Sequence, residues 1–196
     1  MRELVVATGN QGKLKEFGLL LSGSVDRVLS LSDFPACPEV IEDGETFEEN
    51  AVLKAKSAAM VTGIPAIADD SGLVVEALNG LPGVRSARYA GEHARDEDNN
   101  AKLLGELADV PAERRSAAFV SAIALCYPDG VCMTFTGELK GVLLDKPRGA
   151  GGFGYDPLFL VPEFDMTLAE LPIETKNVIS HRGRAFCRLL EFLQGA

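Results

Sequence analysis

The stretch Ile64–Gly91, IPAIADDSGLVVEALNGLPGVRSARYAG, holds the strongest fold signal in the chain. Pro65 to Ala68 is a short apolar run with the length and bounding of a buried strand. It gives way to Asp69-Asp70-Ser71-Gly72, which reads as the end of that strand. Two adjacent carboxylates there are unfavourable unless cations compensate them. Gly72 lets the backbone turn, and Leu73-Val74-Val75 resumes the apolar pattern. An open α/β sheet binds its ligands at the carboxyl ends of its strands, where acidic side chains then serve chemistry. The same four residues also suit a plain acidic turn capping the next element. Both readings stand on this stretch alone.

Towards the N-terminus, Leu4 to Thr8 (LVVAT) is a compact β-branched run and predicts a first buried strand. It breaks into Gly9-Asn10-Gln11-Gly12-Lys13. A helical pattern follows, in which Leu14, Phe17, Leu20 and Leu21 share one face. Strand, glycine-containing loop and helix start form an arrangement that cradles phosphate, through free backbone N–H groups, the helix dipole and the charge of Lys13. The loop is not a Walker A sequence, since it lacks two intervening residues and has no Ser or Thr after the lysine. A simple turn with a surface lysine fits it equally. Val25 to Leu31 predicts a second strand, and the Pro- and acid-rich loop Pro35–Glu45 follows. Glu42, Asp43 and Glu45 suit either a metal or solvation of that loop. Thr46 and Glu49 form a capping box, Phe47, Ala51, Ala55, Ala58 and Ala59 a narrow apolar stripe, and Gly63 a stop. Lys54 either leaves this helix towards a ligand or pairs with Asn50 on a solvated face.

Towards the C-terminus, Arg95–Leu107 predicts a polar-faced helix with Leu103, Leu104 and Leu107 inward. Ala117–Leu125 and Val131–Thr136 predict a hairpin around Pro128-Asp129-Gly130, with a further strand near Gly141–Leu144. Gly149–Pro157 (GAGGFGYDP) satisfies GxGxxG through Gly149, Gly151 and Gly154. No helix follows the glycine run, which excludes a dinucleotide fold. The loop either presents Phe153 and Tyr155 as a stacking surface for a base or is a glycine turn with core aromatics. Ser180-His181-Arg182-Gly183-Arg184 precedes a last helix with Phe186, Leu189, Leu190 and Leu193 inward. His181 suits polar recognition, a helix N-terminus or the plain surface.

Composition narrows the classes. A chain of 196 residues is one large domain or two small lobes. With 19 basic and 29 acidic residues the formal charge is −10. Such a chain has no long-range attraction for a nucleic-acid backbone, although a small polyanion remains admissible where basic residues are focused. No apolar run has the length of a membrane span, and the first residues enter a strand pattern without a basic-then-apolar leader. Cys37, Cys126, Cys132 and Cys187 lack metal spacing. They read as buried, reduced residues of a cytosolic protein.

Five blocks in order, ATGNQGKLKE, GETFEENAVLKAKSAA, PAIADDSGLVVEALNGLPGVRSARYAG, GGFGYDPLF and ISHRGRA, span nearly the whole chain. In these the chain resembles the inosine triphosphate pyrophosphatase (Ham1-like) family of non-canonical purine nucleotide pyrophosphatases, in its bacterial form. The resemblance implies a single α/β domain over residues 1–196: an elongated mixed β-sheet flanked by helices, with two lobes around a central active-site cleft. It implies hydrolysis of ITP, dITP or XTP to the monophosphate and pyrophosphate with Mg²⁺, in a cytoplasmic homodimer that needs neither nucleic acid nor membrane. Carried onto this sequence, Thr8, Gly9, Asn10, Gln11, Gly12 and Lys13 hold phosphates with Lys54. Asp70 is the general base, with Asp69 beside it and Ser71 on the substrate. Glu42 and Asp70 hold Mg²⁺. Phe153, Gly154, Tyr155, Asp156, Lys176, His181 and Arg182 form the base pocket. A 6-oxo purine offers an acceptor where adenine offers a donor, so donors from His181, Arg182 or backbone N–H groups reward the oxo form. With a cation close by, Asp70 is expected to be ionised at neutral pH. Two alternatives remain: a Maf-like pyrophosphatase for other bases, whose opening motif has paired arginines in place of Gly12-Lys13, and a purine nucleotide-binding module without catalysis.

Overall fold

The computed structural model describes residues 2–38 and 40–195, with Gln11, Gly12 and Glu16 described only as helix positions. The elements in order are β1 (Glu3–Val6), α1 (Gln11–Leu20), β2 (Arg27–Ser30), α2 (Phe47–Thr62), β3 (Ala66–Val75) and α3 (Asp96–Glu106). They continue with β4 (Ser116–Cys126), β5 (Cys132–Leu143), β6 (Phe159–Val161), β7 (Met166–Thr167), α4 (Ile173–Ile179) and α5 (His181–Gly195). Seven strands form one sheet in the order β2-β1-β3-β4-β5-β6-β7. β1 runs parallel to both β2 and β3, while β6 runs antiparallel to β5 and β7. The sheet is therefore mixed, and with its helices it makes the α/β fold that the sequence implies.

The chain divides into two compact units, one of residues 1–70, 121–137 and 184–196, the other of residues 71–120 and 138–183. In the first, Leu4, Val6 and Ile67 of the sheet pack on Phe17 and Leu21 of α1 and on Ala185, Phe186 and Leu189 of α5. α2 forms as its sequence dictates. Thr46 caps it reciprocally with Glu49, Gly63 ends it in the left-handed conformation, and Phe47, Ala51, Ala55, Ala58 and Ala59 are all buried. In the second unit, Leu73, Leu103, Leu107, Phe119, Leu139, Tyr155, Leu158 and Phe159 anchor the core.

Three expectations are corrected. The predicted turn at Asp69–Gly72 is absent, because β3 runs unbroken from Ala66 to Val75 and carries all four residues within it. Tertiary partners for each polar side chain let the strand continue. The predicted strands at Val131–Thr136 and Gly141–Leu144 are one strand, β5, whose Gly141 leaves no room for a Cβ against the Phe159 ring and the Leu160 carbonyl of β6. The cysteines are neither all buried nor all reduced. Cys187 is exposed, and Cys126 and Cys132, which flank the turn between β4 and β5, form a disulfide with Cα atoms 4.1 Å apart. A hairpin brings such positions face to face without any motif spacing to announce it.

Candidate active site

In the first unit the acidic pair lies on β3, and successive strand residues point to opposite faces. Asp69, 2% exposed, follows Ile67 on the face packed against α1 and meets Lys13 Nζ at 2.8 Å. Asp70 points towards α2. Its Oδ2 accepts from the Asn50 side-chain amide at 3.1 Å, and its Oδ1 lies 3.6 Å from Lys54 Nζ. Lys54 also donates to Glu42 Oε2 at 3.0 Å. One ammonium thus stands between two carboxylates from distant parts of the sequence. The expectation that cations compensate the acidic pair is met, one lysine to each acid.

Asn50 has a role that its sequence position concealed. It is fully buried, not solvated, and its carbonyl accepts from the Gly44 N–H at 2.8 Å. It ties the acidic loop to Asp70. A Cβ on Gly44 would stand 2.7 Å from that same carbonyl oxygen, so the loop closes only with glycine there. The available signal was helical spacing, since Asn50 falls three residues after Phe47 and one before Ala51, on the edge of the buried stripe.

Burial raises the Asp70 carboxyl above its ordinary value; Lys54 and the Asn50 hydrogen bond oppose this less strongly, and Glu42 adds to it. The neighbouring cation lowers the carboxyl, as its closeness implies, but burial outweighs it. A raised carboxyl in a cationic setting has the character of a proton acceptor.

The Thr8–Lys13 loop takes the strand-to-helix form expected. Thr8 Oγ1 accepts from the Asn10 N–H, and Asn10 Oδ1 accepts from the Lys13 N–H at 3.1 Å, so Asn10 caps α1. Gly9 has open space where a Cβ would sit. The side chain at Gln11 and the surroundings of Gly12 lie outside the described residues.

In the second unit, Lys176 Nζ meets Asp156 Oδ2 at 2.6 Å, and the same oxygen accepts from the Phe153 N–H at 3.2 Å. Gly152, with φ +76°, has no room for a side chain because the Asp156 carboxylate fills that place. The glycine run thus folds around a carboxylate. The Phe153 ring is 64% exposed, whereas Tyr155 is 4% exposed and donates its hydroxyl to the Ser86 carbonyl at 2.8 Å. The stacking surface expected of both aromatics belongs to Phe153 alone, and burial pushes the Tyr155 phenol well up. His181 opens α5 and stacks on Phe119 with ring centroids 4.9 Å apart. Arg182 is 6% exposed and donates to Ser71 Oγ at 3.2 Å. Gly183 allows α5 to start close against α4, since a Cβ there would strike the Asn177 carbonyl. Asp96 and Asn100 of α3, which sequence reasoning passed over, hold Gly154 by its N–H and its carbonyl.

The donor set suits a hard divalent cation, which takes one or two carboxylates together with waters and phosphate oxygens. Asp70 and Glu42 would supply those two, and Lys54 holds a positive charge between them. Among the described residues no group of three or more His, Cys, Asp or Glu side chains gathers in a metal-binding arrangement.

An α/β chain with paired strand carboxylates, each facing a lysine, has the furniture of phosphoryl chemistry. The chain belongs to the Ham1 family, which it matches over residues 4–192. It is 63% identical over 193 residues to a protein of Geobacter sulfurreducens named dITP/XTP pyrophosphatase, covering 98% of this chain and 97% of that one. Among solved structures, a HAM1 protein from Coxiella burnetii superposes with TM-score 0.94 at 43% identity over the whole of both chains. The Staphylococcus aureus Ham1 protein gives 0.92 at 45%, covering 99% of each.

Proposed function

We propose that this protein is a nucleoside triphosphate pyrophosphatase that hydrolyses ITP, dITP and XTP to the monophosphate and pyrophosphate. The observation that carries the reading is the adjacent pair Asp69-Asp70 on β3, each acid facing a lysine from a different helix. Two carboxylates repel a triphosphate, so their presence among phosphate-binding lysines argues for catalysis and against a passive binding module. The name of the Geobacter relative supports the substrate class, and Gly12-Lys13 in place of paired arginines speaks against the Maf-like alternative.

The roles follow from the residues. Asp70 orients and deprotonates the attacking water, its raised carboxyl giving it the basicity for this task. Lys13, Lys54 and the loop from Thr8 to Lys13 hold the phosphates at the start of α1, although the N–H groups of Thr8, Asn10 and Lys13 are already engaged within the chain. Mg²⁺, held by Asp70 and Glu42, neutralises charge on the phosphoryl oxygens when bound. In the second unit the exposed Phe153 ring stacks on the purine. Ser71, Gly154, Tyr155, Asp156, Lys176, His181 and Arg182 shape and orient its pocket, with Tyr155 acting from the core. Donors there favour a 6-oxo purine over adenine by roughly 1–3 kcal/mol for each group that adenine would leave unpaired. A homodimer in the cytoplasm, without nucleic acid, completes the proposal. It accords with the charge of −10 and with the finding that no described helix is long and apolar enough to cross a membrane.

Pyrophosphate release from ITP, XTP, ATP, GTP and dTTP, each with Mg²⁺ and with EDTA, tests the proposal. Metal-dependent release confined mainly to ITP and XTP is expected. Release chiefly from dTTP would move the protein to the Maf-like class, and no release from any of the five would make it a binding module.

A further inference from the structure

α3 holds both backbone polar groups of one residue in the glycine-rich loop, and so the two successive peptide units that meet at it. Asp96 accepts from the Gly154 N–H at 2.6 Å, and Asn100, one turn later on the same face, donates to the Gly154 carbonyl at 3.0 Å. Gly154 sits at φ +60° with open space where a Cβ would be, inside a turn closed by the Asp156 N–H on the Phe153 carbonyl, and the two α3 hydrogen bonds are the side-chain bonds on its own backbone. The neighbouring Asn99 is 3% exposed and treats another loop in the same manner. Its carbonyl accepts from the Ala90 N–H at 2.8 Å and its amide donates to the Ala87 carbonyl at 3.1 Å. The two loops are joined where Tyr155 donates to the Ser86 carbonyl, and the Ser86 hydroxyl accepts from the Leu73 N–H of β3 at 2.9 Å. A closed frame results, running from α3 through both loops to the strand that carries Ser71.

We infer that Asp96 and Asn100 are positioning residues that set the base preference of the enzyme by fixing the two peptide units that flank Gly154 and, through the first, the exposed Phe153 ring. This rests on the functional reading above. Neither side chain need touch the substrate. The Asp156–Lys176 pair and the turn bond from the Asp156 N–H to the Phe153 carbonyl keep the loop in place, and loss of the α3 bonds leaves the peptide units on either side of Gly154, with the ring attached to the first, freer to tilt. Discrimination between an oxo and an amino group depends on hydrogen-bond geometry that weakens within tens of degrees. A loosened peptide therefore erodes selectivity before it erodes turnover.

The test compares Asn100→Asp, which keeps the shape and loses the donor, and Asp96→Ala, which loses the acceptor, with Asp96→Asn, which retains an acceptor. Asp96 is exposed, so its substitution leaves the core intact. Two quantities are read: the ratio of kcat/KM for ITP to that for ATP, and hydrogen exchange at the Gly154 amide. For Asn100→Asp and Asp96→Ala the ratio should fall about threefold to tenfold, the worth of one hydrogen bond, mainly through a higher KM for ITP. Gly154 exchange should quicken in Asp96→Ala, and Asp96→Asn should restore both readings. A wild-type enzyme that prefers ITP, with ratio and exchange untouched by both loss variants, would overturn the clamp alone. A wild-type protein inactive on ITP would overturn the functional reading and the specificity role with it, even where Gly154 remains protected.

Discussion

Asp70 and Asp156 are both largely hidden carboxylates beside a lysine, yet the structure engages them differently. Asp156 gives one oxygen to Lys176 and to the Phe153 N–H together, and the glycine run folds around it. Asp70 has a looser cation at 3.6 Å, a neutral amide donor and a second carboxylate sharing that cation. The first arrangement fixes a charge to fix a backbone. The second leaves a carboxyl raised by burial and only partly compensated, which is what a proton acceptor requires. Proximity to lysine does not by itself mark a functional acid; what the remaining oxygen valences do is more informative.

Substituting each acid by its amide separates the two most sharply. Asp70→Asn should lower pyrophosphate release from ITP by about 10²–10⁴-fold, the usual worth of a general base, with the fold intact. Because burial raises the folded-state carboxyl above its unfolded value of 3.8, the ionised form is disfavoured in the fold. The stability Asp70 contributes is thus greatest below pH 3.8 and declines as pH rises through the raised value. In EDTA, the amide variant should therefore melt no lower than wild type near neutral pH. Asp156→Asn should do the reverse: a loss of stability of about 1–3 kcal/mol as partly buried Lys176 loses its charged partner, read by denaturant unfolding. An Asp70→Asn protein within a few-fold of wild-type activity, or an Asp156→Asn protein of unchanged stability, would dissolve the contrast.

The acidic pair itself sharpens it further. Asp69 is the more deeply buried acid, and its 2.8 Å contact with Lys13 resembles the Asp156 arrangement more than that of its neighbour. Lys13→Met should cost about 3 kcal/mol by removing the cation from that buried charge, and adding Asp69→Asn should recover most of the stability. Triphosphate binding should stay weak in both, since the phosphate-binding charge is gone. If the double variant regains binding as well as stability, Lys13 serves the fold alone.

What could be read from the sequence follows the range of the forces involved. The caps and alanine stripe of α2 are local, and they were legible residue by residue. So was the strand-to-helix loop ending in Lys13. The continuity of β3 through Asp69-Asp70-Ser71-Gly72 was not, because polar residues inside a strand are admitted only by partners far along the chain: Lys13, Lys54 and Arg182. Pattern reading sees the polarity and infers a turn. Asn50 was misplaced for the same reason, its hydrogen bond to Asp70 spanning 20 residues. Asp96 and Asn100 reach 58 and 54 residues to Gly154 and leave no local trace. The resemblance to a family supplied the identity of many candidate residues; it did not supply the separation of structural from titrating acids.

The smallest effect tests that separation most directly. Lys54 is the strongest influence holding the Asp70 carboxyl down, and burial outweighs it even so. Lys54→Met removes the opposing charge while keeping the length of the apolar stem, so the Asp70 carboxyl should rise further. Carbon-detected titration of the metal-free protein reads this without any turnover. The acid limb of the pH–rate profile should move to higher pH in parallel, because the base must lose its proton before it can act. Asn50→Ala should move the titration the same way and by less, in keeping with its lower rank among the causes. A titration that stays in place when Lys54 is neutralised would mean that Glu42, not Asp70, holds the ammonium. Asp70 would then be raised by burial alone, and its resemblance to Asp156 would reduce to sharing a neighbourhood with a lysine.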